Sequence, residues 1–244
     1  MLVAEMVRSD LNSSCAISRF GRKSATKFDR KLAPMIWILI VIVSYLLGSI
    51  PSGYLVAKSH GIDIRQHGSK NIGATNVLRV MGKKWGYFVF FCDVLKGFVA
   101  VKVGFFLAGS FGATVTLAGL VAALGCILGH NYPVWLGFKG GKGIATSAGV
   151  VIALFPAVIV LLAGIVWLLV FLLGRYVSLA SISAAVALPI AVALLGPYVR
   201  INDYWLVLCF SVFAAGLAVW RHHANITRLL NGTESRFGKK KSES

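Results

Sequence analysis

Acidic side chains are scarce in this chain. Its 244 residues carry eight Asp and Glu against 25 Lys and Arg, a formal net charge of +17 at pH 7. Charged residues of either sign make up 14%, where soluble domains have about 25%. That shortage excludes an ordinary water-solvated surface over most of the molecule. Cysteine is limited to Cys15, Cys92, Cys126 and Cys209. Three of these lie in apolar runs and no pair has metal-ligand spacing, so neither a disulfide framework nor a zinc site is expected; they read as small packing residues. A nucleotide P-loop is also missing. Residues 130–143, HNYPVWLGFKGGKG, resemble one, but the GxxxxGK[ST] pattern needs glycine at position 136, which is Leu136. No metal and no cofactor are expected. Nucleic-acid binding is the other meaning of a basic chain. It is not expected here, because the basic residues alternate with long apolar runs.

Those runs dominate the sequence. Hydrophobic residues make up 57% and the mean hydropathy is +0.79. Apolar segments cover about 36–57, 85–108, 112–129, 144–155, 157–173, 178–196 and 204–220. A helix needs about 20 residues to cross the hydrocarbon core. Five runs approach that length and 157–173 barely reaches it. The run 144–155 would span only about 18 Å, and Pro156 divides it from the next, which suggests a hairpin of a short and a longer helix. The pattern predicts an all-α, polytopic membrane protein with seven transmembrane helices.

Charge sets the expected orientation. Lys58, Arg65, Lys70, Arg79, Lys83 and Lys84 follow the first run, Lys139 and Lys142 the third, Arg175 the fifth, and Arg221, Arg228, Arg236 and Lys239–Lys241 the seventh. The opposite connections hold only Arg200 and Asp203. The positive-inside rule then places the C-terminus in the cytoplasm and the start of the first helix outside. Residues 1–34, with seven Arg or Lys against three Asp or Glu, lack hydrophobic periodicity and read as a disordered extension. Met35 directly precedes the first run, and translation of the native product is expected to start there. Residues 35–237 form the membrane domain and 238–244 a basic polar tail.

Three polar segments fall on the expected cytoplasmic side. Segment 61–84 combines Gly61, Gly68, Gly73 and Gly82 with Ser69, Asn71, Thr75, Asn76 and Arg79. Glycine allows backbone N–H groups to close around an anion, and arginine offers a planar fork for phosphate oxygens. An ordinary turn-rich connector is the alternative. In segment 130–143, His130 and Asn131 end a helix, and Lys139 and Lys142 flank a glycine pair. This suits either an anion site or a basic anchor at the headgroups. In segment 221–236, Arg221, His222 and His223 follow the last helix directly. Adjacent histidines point to different faces, which argues against a shared metal. Within the second run Asp93 and Lys96 lie three residues apart, on one helix face. Each would cost roughly 2.5–3.5 kcal/mol at mid-membrane. They either form an ion pair that locks helices together or face a wet cavity under a cytoplasm-facing pocket. A single anion site built from all three segments explains why each carries glycine with cationic or amide donors.

The strings GSIPSGYL, DIRQHGSKNIGATNVLRVMGKKWG, DVLKG, GHNYPVWLGFKGGKGIAT, RYVSLASI and RHHANITRLLNGTE, which lie within residues 46–237, resemble the bacterial acyl-phosphate-dependent glycerol-3-phosphate acyltransferase family. The resemblance implies transfer of a fatty acyl group from acyl phosphate to the 1-hydroxyl of glycerol 3-phosphate, giving lysophosphatidic acid and phosphate. This is the first step of phospholipid synthesis at the bacterial cell membrane. It implies catalytic roles for Ser69, Arg79, His130, Asn131 and His222. Substrate binding would fall to Gly68, Asn71, Gly73, Thr75, Asn76, Lys139 and Lys142, with Asp93, Lys96 and Glu234 structural. It also implies a soluble phosphate acyltransferase that makes the donor and touches this protein transiently. Residues 1–34 have no counterpart in the family pattern. Other glycerolipid acyltransferases use HxxxxD; the positions five after His60, His67, His130, His222 and His223 are Arg65, Ile72, Trp135, Thr227 and Arg228, so that chemistry is excluded. Holding two phosphates together needs several cations, and Arg79, Lys139, Lys142 and His222 are the candidates. An anion transporter is disfavoured because no internal repeat is visible.

Overall fold

The structure is a computed structural model that describes residues 33–111, 113–199 and 201–238. Most of the expected N-terminal extension, Arg200 and the end of the basic tail lie outside the described residues. All regular elements among them are helical. They are α1 (Ala33–Ser49), α2 (Ser52–Ser59), α3 (Ala74–Met81), α4 (Lys83–Phe111), α5 (Val115–Asn131), α6 (Ile144–Leu154), α7 (Ala157–Gly174), α8 (Val177–Leu195), α9 (Tyr204–Arg221) and α10 (His223–Leu230), with a 3-10 turn at Val134–Leu136.

Each apolar run becomes a helix. The first breaks at Ile50–Pro51, because proline offers no N–H to carry the helix on, yet α1 and α2 together form a 26-residue apolar span, Pro34–Ser59. Val115–Leu136, Ala157–Gly174, Val177–Leu195 and Tyr204–Arg221 are likewise long and apolar enough to cross a membrane. Helix α4 is longer, 29 residues, but carries charge. Helix α6 has only 11 residues, about 16 Å, and ends before Pro156 as the sequence suggested.

Lipid offers no hydrophobic drive between helices, so close backbone packing holds them. Two contacts are reciprocal. A Cβ on Gly97 of α4 would lie 2.1 Å from the Thr146 carbonyl oxygen of α6, and one on Gly149 of α6 would lie 1.9 Å from the Val94 carbonyl oxygen of α4. Gly48 of α1 and Gly129 of α5 repeat the arrangement against Cys126 and Tyr45. Helix α7, by contrast, shows most of its surface to the surroundings.

Two short helices, α3 and α10, form inside segments that read as loops. Ile64, Ile72 and Val77 are buried against Ala57 and Val89, so the 61–81 segment is pinned onto α2 and α4. That anchoring gives an otherwise polar stretch a fixed shape.

Gly149→Ala is expected to cost about 1–3 kcal/mol through overpacking, read as a lower Tm in detergent. Gly164→Ala, where nothing lies within 4 Å, should leave Tm unchanged or slightly raised.

Candidate active site

The first polar segment is organised by Asn76. Its Nδ2 donates to the carbonyls of Asn71 (2.8 Å), His67 (3.0 Å) and Ile64 (3.3 Å). Its Oδ1 accepts the Ser69 N–H at 2.8 Å. The amide is buried and its groups are committed to the loop, so Asn76 shapes the site from below rather than facing it as the sequence suggested. Gly68 has φ +61, and a Cβ there would meet Asn76 Oδ1 at 2.3 Å; only glycine lets the loop close this tightly. Asn71 Oδ1 accepts the Gly73 N–H at 2.8 Å, and Gly73 caps α3. Ser69, Thr75 and Arg79 are exposed, and no hydrogen bond engages the Ser69 hydroxyl or the Arg79 guanidinium among the described residues.

The second and third segments are joined by direct bonds. Arg221, at the end of α9, donates Nη2 to the carbonyls of Gly141 (2.5 Å), Gly140 (3.3 Å) and Asn131 (3.4 Å), and its guanidinium lies 5.0 Å from the Tyr132 ring centre. Lys142 donates to Asn225 Oδ1. Asn225 Nδ2 donates to Glu234 at 2.7 Å, and Ser178 and Arg228 donate to the same carboxylate, each at 2.7 Å. Glu234 therefore ties α8, α10 and the C-terminal segment together and, through Asn225, sets the Lys142 ammonium.

His130 and Asn131 are placed differently from expectation. They are buried, 5% and 1% exposed, beneath the glycine pair. A Cβ on Gly141 would meet His130 Nε2 at 2.1 Å, so the bare turn lies directly on the imidazole. His130 Nδ1 is 3.7 Å from Asp93 Oδ1. Asp93 pairs with Lys96 at 2.9 Å, and Lys96 also donates to the Ile50 carbonyl at 2.8 Å. Of the two readings of this pair the structure takes the ion pair, which links α4 to the break after α1.

Electrostatics at the site reflect crowded cations. Burial pushes the Lys142 ammonium down to about 8; Glu234 opposes this, while the charges of Arg228, Arg79 and Arg221 add to it. Arg79 thus belongs to the same electrostatic neighbourhood. Burial likewise takes His222 down to about 4, against its bond to the Ala218 carbonyl. That bond, 2.7 Å from Nδ1, places the proton on Nδ1 and the lone pair on Nε2. His222 is therefore a neutral acceptor at pH 7, not the cation the sequence suggested. Burial alone would raise Glu234, but bonds from Arg228, Ser178 and Asn225 leave it lowered.

Beside this cluster a pocket of about 350 Å³ opens between the loops, lined by Arg65, Lys70, Ile72, Phe138, Lys139, Gly140 and Arg221. Lys139 faces this pocket while Lys142 joins the Asn225 network. Sequence reasoning missed Asn225, Arg221, Arg65 and Lys70 as site residues. Asn225 had a readable signal, because it lies three positions after His222, one helical turn on.

The profile of the glycerol-3-phosphate acyltransferase family matches residues 38–232. The glycerol-3-phosphate acyltransferase of Desulforamulus reducens is 48% identical over 206 residues, 84% of this chain and 97% of that protein. That of Aquifex aeolicus is 46% identical over 200 residues, covering 82% and 98%. The crystal structure of PlsY, an integral membrane glycerol 3-phosphate acyltransferase, in its glycerol 3-phosphate form superposes with a TM-score of 0.73 at 44% identity, over 83% of this chain and 96% of that one. Its lysophosphatidic acid form gives 0.71.

The lowered Lys142 predicts a pH dependence. Between about pH 8 and 10.5 the unfolded chain holds a proton at this lysine that the folded protein has lost, so stability rises with pH across that window. Lys142→Met lacks this component, and the Tm difference between wild type and variant should grow in favour of wild type from pH 8 upward. A pH-independent difference would contradict the assignment.

Proposed function

The chain belongs to the glycerol-3-phosphate acyltransferase family, and from that premise we propose that it moves a fatty acyl group from acyl phosphate to the 1-hydroxyl of glycerol 3-phosphate. The products are lysophosphatidic acid and inorganic phosphate, which makes this an entry step of phospholipid synthesis. The observation that carries the reading is the bond from Lys142 to Asn225, with Arg79, Arg221 and His222 around it. It joins two polar segments into one cation-rich site, and the charge of Arg79 brings in the third. Two phosphorylated substrates suit that excess of positive charge, and the missing HxxxxD motif argues for a donor that needs little acid–base help.

In this reading Arg79 and Lys142 hold phosphate oxygens, and Ser69, fixed through its N–H by Asn76, orients the reacting groups. The N-terminus of α3, with Gly73 and Thr75, supplies further donors to anionic oxygen. The glycerol hydroxyl oxygen attacks the acyl carbonyl carbon, the carbon–oxygen bond to phosphate breaks, and the hydroxyl proton passes to a phosphate oxygen. Positioning of this kind supplies roughly 7–11 kcal/mol. A base works best with a pKa near the working pH. His222, lowered to about 4, is better suited to accepting a hydrogen bond from the substrate than to taking its proton. His130 and Asn131 act beneath the glycine turn, and Asp93, Lys96 and Glu234 keep the scaffold in register.

With α4 and α6 added to the five apolar spans, the chain crosses the bacterial cell membrane seven times. The polar end and C-terminus are cytoplasmic and the start of α1 is outside, as the distribution of Lys and Arg favours. A soluble acyltransferase that makes acyl phosphate would meet the protein at that polar end.

Purified protein in detergent, given acyl phosphate and glycerol 3-phosphate, is expected to form lysophosphatidic acid. Arg79→Ala and Ser69→Ala should lose roughly 10²–10³ in kcat. Absence of product from the wild type sinks the proposal. His222→Gln should keep measurable turnover if substrate phosphate is the base; complete loss with intact substrate binding would return that role to the histidine.

Because an arriving phosphate favours the charged form of Lys142, binding of glycerol 3-phosphate near pH 8 should take up a proton. Calorimetry in buffers of different ionisation enthalpy reads this directly, and Lys142→Met should abolish it.

A further inference from the structure

The pocket between the 65–72 and 138–140 loops is built for more than general attraction of anions. Four cations line it, Arg65, Lys70, Lys139 and Arg221, together with the apolar side chains of Ile72 and Phe138. Asp63, the nearby carboxylate, is already held by Arg65 through bonds of 2.9 and 2.8 Å. Lys70 and Lys139 have no side-chain partner among the described residues. Arg221 is bonded to the Gly140–Gly141 turn through Nη2, but its Nε is buried without a partner.

Backbone strain marks the same place. Among the described residues, four that are not glycine have positive φ, and two of them, Lys70 at 59° and Phe138 at 61°, line this pocket. Left-handed backbone at a bulky residue persists only where its surroundings hold it, and such positions gather at functional sites. Here the strain holds a cation and an aromatic ring at one pocket. Phe138 is 59% exposed, and Trp135 on the adjoining turn is 62% exposed. An apolar wall beside unpaired cations fits a ligand with an anionic head and a hydrocarbon tail. Glycerol 3-phosphate and inorganic phosphate gain nothing from the aromatic side. A volume of about 350 Å³ is at the low end of the ~300–1,000 Å³ of ligand pockets, enough for a phosphate head and a few carbons.

We propose that this pocket is a second subsite, outside the reacting centre, for the phosphate head of a single-tailed lipid phosphate, and that the acyl donor is received there before transfer. This rests on the function proposed above. The two sites share the Gly140–Gly141 turn and Arg221, with Lys139 serving the outer one and Lys142 the inner. The same head chemistry could come from the donor or from bulk anionic phospholipid, and the experiment separates them.

The test is a Lys70→Asn, Phe138→Asn double variant. Asparagine tolerates left-handed backbone, so the loops keep their shape while the cation and the ring are lost. In detergent, the KM for acyl phosphate should rise about tenfold, the loss of one charge-assisted contact. The KM for glycerol 3-phosphate should stay within about twofold, so the change falls on donor KM rather than on kcat. Lys83→Gln with Lys84→Gln, which removes two charges at the start of α4, should move neither constant. Decyl phosphate should inhibit wild type competitively against acyl phosphate and inhibit the double variant about tenfold less. An unchanged donor KM, an equal rise in the Lys83/Lys84 control, or a rise in the glycerol 3-phosphate KM would overturn the proposal. So would phosphatidylglycerol competing as well as decyl phosphate, which would assign the pocket to bulk lipid. If the wild type makes no product, the function reading fails by itself. Calorimetry with decyl phosphate then decides the subsite: binding weakened in the double variant upholds it, and equal binding overturns it.

Discussion

Glu234 accepts hydrogen bonds from Ser178, Asn225 and Arg228, and through Asn225 its influence reaches Lys142. In a chain with so few acids this carboxylate is the main counterweight to the cations gathered at the polar end. The ordering of the site depends on it. It fixes α10 against α8, and so presents Asn225 and His222 to the turn that carries Lys142. Lacking it, Lys142, Arg79, Arg221 and Arg228 would repel one another with no carboxylate among them, and the loops would have an electrostatic reason to separate.

Even with Glu234 in place, compensation is incomplete. The lowered Lys142 and the neutral His222 both register positive charge and burial that one carboxylate does not balance. In the function proposed above, a doubly charged phosphate would complete the balance and relieve the repulsion among these cations. The same donors would be held in place as charge shifts from the attacking hydroxyl to the departing phosphate, the condition under which preorganised electrostatics is most effective.

Much of the fold was legible because lipid leaves little choice: apolar runs of sufficient length become helices, and proline breaks them at Pro51 and Pro156. The short helices α3 and α10 were hidden, because glycine and asparagine signalled turns while Ile64, Ile72 and Val77 were anchoring the segment from within. At the site, composition pointed to the segments that the structure brings together but not to the direction of each side chain. His130 and Asn131 look like ligands at a helix end, yet the bare Gly140–Gly141 turn covers them. Asn76 looks like a donor to substrate, yet its amide is spent on the carbonyls of its own loop. Such outcomes depend on which atoms lie beneath a backbone, information a single sequence does not carry.

The shortness of α6 has to be made up by side chains. Its 11 residues reach about 16 Å, whereas its neighbour α7, with 18 residues, reaches about 27 Å. Yet Lys142, just before α6, is joined through Asn225 and Glu234 to Ser178, beside the far end of α7. A relay of three polar side chains thus bridges the difference in length between two neighbouring helices. Lysine suits its first link because its four-carbon stem carries the charge well away from the backbone; a shorter cation at this position would stop short of Asn225.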